Sequence, residues 1–439
     1  MKQLICNKSM HRITFGVMII IMPVLFCRAQ PVATVPSGAQ QEVVRIQNAA
    51  EPEYATPTVT LTKVWEVGGE NPGFIINNPV ALDVDTAGRI YVLDALESDV
   101  KVFAADGRFL YKFGQKGQGP GDLLAPLSLA VLTALNQILI IDHTGQRRFN
   151  FFDLQGHYLH SFQDTLLKQE TIAANERTAL SEQRTIHSGT LFRTPALLVL
   201  TNDLEALKYQ VRELWWYDYK AMKTTHIVKI KRPDPVGFNN GQIYERMESE
   251  PQYGVDPAGA LYVVQDNYTY DIQVYDSTGQ LTRTIQRAFT LPRKSAAEYQ
   301  KDLERHQKDM KFWQGLGTEI QIKTLRDKPI IYGPHMITRS LFTDAQHRLW
   351  VLTNEPYPPH QSRSLVDQVL GLFRHDANAS DAPHTRLSFD VFSPAGKYLM
   401  KIPFDANQPR CFRYKDGYLY YLALKEDGFP WLFKYRIVG

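Results

Sequence analysis

Cysteine is nearly missing. The 439-residue chain has three, and Cys6 and Cys27 both fall within the first 29 residues. With that segment removed Cys411 stands alone, no intrachain disulfide can form, and stability rests on a hydrophobic core. An apolar run long enough to cross a bilayer is also missing: Ile13–Phe26 contains Thr14, Gly16 and Pro23 and falls short of the about 20 residues a spanning helix needs. Neither sign of charge dominates, with 49 Lys and Arg against 46 Asp and Glu. The one cationic stretch, Lys223 to Arg232, alternates with Thr, Ile and Val as a solvated strand face does, which argues against nucleic acid as a partner. No Gly-x-Ser-x-Gly elbow, His-x-His or His-Glu-x-x-His occurs, so an elbow-type nucleophile and a contiguous metal motif have no support.

What is present begins with an address. Lys2, Lys8 and Arg12 precede the apolar run and Cys27-Arg28-Ala29 follow it, the layout of a secretory signal peptide cleaved after Ala29. Lipidation of Cys27 is the weaker alternative, because Phe26 stands where a lipobox wants a small residue. Cleavage removes Lys2, Lys8, Arg12 and Arg28 and leaves 45 basic against 46 acidic residues, a nearly neutral chain expected in the periplasm or outside the cell. Residues 30–56, with Pro31, Pro36 and Pro52 among Gln and Ala, read as a mobile tether, and no transmembrane helix is expected after cleavage.

From Asn78 onward short strands and Gly-centred turns recur. The clearest copy runs Ala81–Val84, Asp85-Thr-Ala-Gly88, Arg89–Asp94, Val100–Phe103, Asp106-Gly107 and Arg108–Phe113: four strands in one antiparallel sheet. An aromatic residue followed four places later by Gly marks the last turn in Phe103/Gly107, Phe152/Gly156, Tyr275/Gly279 and Phe392/Gly396, with Tyr217/Ala221 a degenerate copy. Gly there supplies positive φ without strain, and the ring supplies contact between sheets. An Asp opens the first turn at Asp85, Asp256 and Asp344.

This spacing predicts an all-β, six-bladed β-propeller over 57–439, with four-stranded antiparallel blades at about 77–114, 124–163, 187–231, 250–290, 335–404 and 407–438. The last blade has three obvious strands, and Thr58–Val67 is expected to supply its fourth and close the ring. A capping box at Ser295-Ala-Ala-Glu298 predicts a helical insertion near 295–314.

Phe113-Gly-Gln-Lys-Gly-Gln-Gly-Pro-Gly-Asp122, followed by Pro126 and a strand, resembles the connector of NHL-repeat-like six-bladed β-propellers, including bacterial exported and lipoprotein members. The run lacks the Lys-Ser/Thr ending of a phosphate loop and opens no helix. The likeness is good in the first two blades and fair in the fourth. It implies an exported propeller, and a few propeller enzymes of this general fold, peptide-amidating lyases among them, hold zinc with histidines at the funnel mouth.

Antiparallel blades send the links between blades and those between second and third strands to one face. The long insertions at 164–186, 232–249, 291–334 and 354–385 all fall there, which nominates that face for binding. Asp94, Asp142 and Asp266 end second strands, with His143, Asn354 and Glu355 beside them; Tyr268, Tyr270 and Tyr357 follow in the links and suit a peptide or glycan. The Asp residues equally suit backbone N–H groups of the adjacent turns. His143, His187 and His335, from separate blades, are the candidates for zinc or calcium in a rival reading as a metal-assisted lyase or hydrolase. The preferred expectation is a monomeric, non-catalytic propeller without cofactor that binds a protein, peptide or glycan.

Overall fold

The computed structural model describes residues 43–143, 147–163 and, with short gaps, 185–233, 252–288, 341–355 and 386–439, together with 242–244, 321–323, 333–334 and the positions 300, 304, 307 and 311. The expected 295–314 helix lies outside the described residues except for Gln300, Glu304, Gln307 and Lys311, which are helical and exposed.

Among the described residues six sheets of four or five strands follow one another along the chain, and a seventh, two-stranded one pairs Gln242–Tyr244 with Gln321–Lys323 in parallel. Blade one is Pro79–Val84, Ile90–Asp94, Asp99–Phe103 and Phe109–Phe113; blade two is Pro126–Leu132, Gln137–His143, Arg147–Asp153 and Tyr158–Gln163. Blade three is Thr185–Leu191, Thr194–Glu205, Tyr209–Asp218 and Lys223–Pro233, and blade four is Gln252–Val255, Leu261–Val264, Asp271–Tyr275 and Leu281–Arg287. Blade five comprises Leu341–Thr343, Leu349–Glu355, Arg386–Phe392 and Tyr398–Phe404. Blade six takes Cys411–Lys415, Tyr418–Leu424 and Pro430–Val438 from the end of the chain and Thr60–Gly68 from its beginning, with Thr60 opposite Val438 and Gly68 opposite Trp431. The chain is a six-bladed β-propeller.

In blade one both faces of the middle strands are covered, so burial does not alternate there even where residue type does, as in Asp99-Val-Lys-Val-Phe103. Every residue of Ile90–Asp94 and of Asp99–Phe103 is buried, whereas the outer strand Phe109–Phe113 is mostly half-exposed. The apolar side chains divide into six layers, each between two blades. Tyr91, Val102 and Phe113 of blade one meet Leu129, Ile138 and Phe152 of blade two. Leu82, Val92 and Phe103, on the other face of blade one, meet Cys411, Leu422 and Leu432 of blade six. Burial of one such aromatic or branched side chain contributes about 1.5–3 kcal/mol, so the layers dominate the stability.

The recurrent glycines have a second function besides positive φ. Gly107, Gly156 and Gly396 adopt φ of +90°, +88° and +89° and press on the preceding blade: a Cβ would come within 3.0 Å of Trp65, 2.4 Å of Phe113 and 2.8 Å of Ile285 respectively. The Asp-led turns are equally built. One Asp85 oxygen accepts the N–H groups of Ala87 and Arg89, and the other takes the Arg89 guanidinium at 2.7 Å and the Tyr91 hydroxyl at 3.0 Å. Asp344 repeats this with Gln346, Arg348 and the Trp350 indole.

The segment read as a tether is partly ordered. Val44–Asn48 forms a strand that pairs parallel to Leu281–Arg287, the outer strand of blade four. Asn48 donates to the carbonyls of Gln286 and Gly396 and accepts the N–H of Tyr398, and the N–H groups of Glu53 and Tyr54 reach the carbonyls of Tyr398 and Leu399. The chain thus runs along the rims of blades four and five before it joins blade six. Composition suggested a tether; backbone pairing to an open sheet edge, which composition does not encode, holds the segment in place.

Candidate functional site

Asp94 and Asp142 are both fully buried at the ends of second strands. Asp94 accepts the N–H groups of Asn77, Asn78, Leu96 and Glu97 and the Lys101 ammonium at 3.2 Å. Asp142 accepts those of Leu124 and Ala125 and the Arg148 guanidinium at 3.2 Å. Each carboxylate ties its strand to the backbone that enters the same blade. Arg148 also donates to the carbonyls of Gln118, Gly119 and Asp122, which fastens the Gly-rich connector from within.

Tyr270 is 4% exposed, and its hydroxyl donates to Asp390 of blade five at 2.7 Å, which turns it away from any ligand in solvent. Asn354 and Glu355 end a strand of blade five, opposite Leu387 and Arg386, and Asn354 also lies opposite Gly333. His143 and His187 occupy strand positions in blades two and three. Asp266, Tyr268, Tyr357 and His335 lie outside the described residues.

A cleft of about 570 Å³ opens on blade six, and sequence reasoning did not single it out. Its floor is the sheet face itself. Trp431, Phe433 and Tyr435 alternate along one strand and so share a face; Ala423 and Tyr421 stand opposite the first two on one side, Glu66 and Lys63 opposite Phe433 and Tyr435 on the other. Tyr421 and Phe433 stack with centroids 4.7 Å apart, and both are nearly covered, whereas Trp431 and Tyr435 are half-buried. Lys425, Glu426 and Asp427 of the link between second and third strands form the rim, on the side of the propeller that carries the long connections.

The rim charges are organised by contact. The Lys425 ammonium sits 3.9 Å from the Trp431 ring centroid and is bonded to Glu66, which also takes Lys63 at 3.1 Å. Burial alone would raise the Glu66 carboxyl, but the bonds from Lys425 and Lys63 outweigh it and hold the group below the usual carboxylate range. Asp427 accepts the Trp431 indole N–H at 2.8 Å and fixes the ring plane. With Phe433 stacked on Tyr421 and Lys425 over Trp431, the cleft offers a ligand the half-buried Tyr435 ring and the charged side chains of its rim.

Residues 74–230 match the model of a family described as "6-bladed beta-propeller". Among solved structures, the chain is similar to a Bacteroides vulgatus protein at 10% identity, with 87% of this chain and 99% of that one covered and a TM-score of 0.49. It is also similar to a Bacteroides fragilis protein provisionally described as exported, at 12% identity, 90% and 100% coverage and a TM-score of 0.46. Protein brain tumor of Drosophila melanogaster is 24% identical over 90 residues, which span 20% of this chain and 9% of that protein. None of these proteins lends its activity to this chain.

Proposed function

We propose that the protein is an exported, monomeric, non-catalytic six-bladed propeller that binds an external ligand on the side of its long connections, with the blade six cleft as the site. The carrying observation is the aromatic floor of Trp431, Phe433 and Tyr435 flanked by Glu66, Lys63 and Lys425. Apolar walls with a few convergent polar groups are what ligand sites consist of. The basic, apolar and small-residue order of residues 1–29 supports export, and among the described residues no helix is long and apolar enough to cross a membrane.

The test uses residues 30–439 after dialysis against a weak chelator. A thermal-shift screen of defined oligosaccharides and short peptides should find a compound that stabilises the wild type and fails to stabilise Tyr435→Ala, with the compound recovered unchanged by mass spectrometry. Turnover of that compound, or one equivalent of zinc or calcium that disappears in His143→Ala or His335→Ala, would replace this reading with a metal-assisted enzyme.

A further inference from the structure

We infer that the outer edge of blade four is a peptide-binding site, separate from the blade six cleft, in which the chain's own Val44–Asn48 is seated as a resident ligand. The ligand class is an extended peptide with a branched aliphatic residue, any residue, then Asn. The first observation is the ladder. Val44–Asn48 adds in parallel to Leu281–Arg287, with Val44 opposite Arg283 and Asn48 opposite Arg287, and the Asn48 carbonyl accepts the Ala288 N–H at 2.9 Å. This is recognition by strand addition, in which the backbone supplies affinity and alternate side chains supply the choice of sequence.

Two side chains of the segment are read. At Gly107 and Gly156 the space against the turn is filled by a ring from the outer strand of the preceding blade, Trp65 and Phe113 respectively. At Gly396 it is shared between Ile285 of blade four and Ile46 of the added segment, whose Cδ1 lies 2.8 Å from where a Gly396 Cβ would stand. An added aliphatic side chain thus completes a contact that elsewhere the blade makes with its own ring. Two residues on, the Asn48 amide donates to the carbonyls of Gln286 and Gly396, both at 3.0 Å, and accepts the Tyr398 N–H at 2.8 Å. All three partners are main-chain groups of blades four and five. Asp lacks the donor and Gln is a methylene longer, so the position selects Asn.

The other contacts leave the segment exchangeable. Val44 is 58% exposed, Arg45 and Gln47 are exposed, and no residue of the strand is buried. Parallel pairing is also slightly less stable per residue than antiparallel pairing. Blade four keeps its four strands paired to one another without the fifth, so withdrawal of the segment breaks no blade. A peptide of the same pattern therefore competes with the resident strand for one edge, and the resident strand sets the affinity that the peptide has to exceed.

The experiment is fluorescence anisotropy on residues 30–439 with a labelled peptide of residues 43–56. In a chain that carries Ile46→Asp and Asn48→Ala the edge is vacated, and the peptide should bind with Kd below about 100 μM. Wild type, whose own segment competes, should bind at least about tenfold more weakly. Peptides with Asn48→Asp, Asn48→Gln or Ile46→Asp should each lose at least about tenfold. A peptide that keeps only Ile46 and Asn48, with Ser and Thr elsewhere, should bind within about tenfold of the parent. These substitutions sit in the peptide and leave the fold of the protein untouched. Circular dichroism establishes that the vacated chain is folded, and Ile46→Asp alone serves if the double variant is not. No saturable binding up to about 1 mM, equal binding to wild type and the vacated chain, or indifference to the Asn substitutions overturns the inference. Failure of the Ser and Thr peptide would restrict the edge to its own segment and overturn the ligand class. The blade six reading stands or falls separately, on the Tyr435→Ala screen.

Discussion

The hydroxyl of Tyr270 in blade four donates to the carboxylate of Asp390 in blade five, 2.7 Å away and 120 residues later in the chain. Asp390 is completely buried; it also accepts the Tyr398 hydroxyl at 2.8 Å and is bonded to Arg287. Burial pushes both the Tyr270 phenol and the Asp390 carboxyl above their usual ranges, with Asp390 itself the next cause for Tyr270 and Arg287 the opposing influence on Asp390. Tyr270→Phe, which leaves two other partners on the carboxylate, should cost about 1–2 kcal/mol. Asp390→Ala should cost about 3–5 kcal/mol, because it strands Arg287 in a covered site. Urea unfolding followed by tryptophan fluorescence checks both.

Two glycines with nearly equal φ should answer differently to alanine. Gly156, at φ +88°, leaves a Cβ only 2.4 Å from Phe113, while Gly417, at φ +82°, has nothing within 4 Å. Gly417→Ala should cost about 1–2 kcal/mol, the left-handed backbone penalty alone. Gly156→Ala adds overpacking between blades and should cost about 2–5 kcal/mol in all. Equal losses in melting temperature would show that the blade contact at Gly156 is looser than described.

The rim segment should be worth measurable stability. Asn48 makes three hydrogen bonds that bridge blades four and five, so Asn48→Ala should cost about 1–3 kcal/mol. A chain that begins at residue 57 should show faster amide exchange in Leu281–Arg287, whose outer edge it uncovers. Unchanged exchange there would refute the pairing with Val44–Asn48.

His347, in the left-handed region at φ +57°, places its ring on Asp256 of blade four at 2.9 Å. The hydrogen bond and charge of Asp256, joined by Asp344, raise the imidazole above the ordinary histidine range. A group with a raised folded value contributes fully below about pH 6.5 and loses that contribution as pH climbs through the raised value. The ring is 51% exposed, so the loss should stay under about 1 kcal/mol. His347→Asn should flatten the pH dependence of stability over that window, as read from chemical denaturation at several pH values.

The architecture was legible because its signals are local. Asp-led turns and the aromatic–Gly pairs announce themselves within a few residues, as at Asp85/Gly88 and Phe103/Gly107. The closeness of Gly156 to Phe113 was not legible, since it depends on how two blades meet. The strand at Val44–Asn48 was hidden for a similar reason: its partner Leu281–Arg287 is more than 200 positions away. Alternation of Trp431, Phe433 and Tyr435 could have exposed one wall of the cleft. Glu66 and Lys63 could not be joined to it without the register that sets Glu66 against Phe433. Asp94, Asp142 and Tyr270 attracted notice by residue type, and their hydrogen bonds show them holding strands and blades together.

Thr60 faces Val438 in the sixth sheet, so one of the earliest strands to leave the ribosome must wait for the last. Until the final residues emerge, Thr60–Gly68 has no ladder and Trp65, which packs beneath Gly107, is only loosely held. Pairing across so large a sequence separation is slow. The sixth sheet therefore cannot be completed until Pro430–Val438 has been made, and a chain without that strand would leave Thr60–Gly68 without its partner.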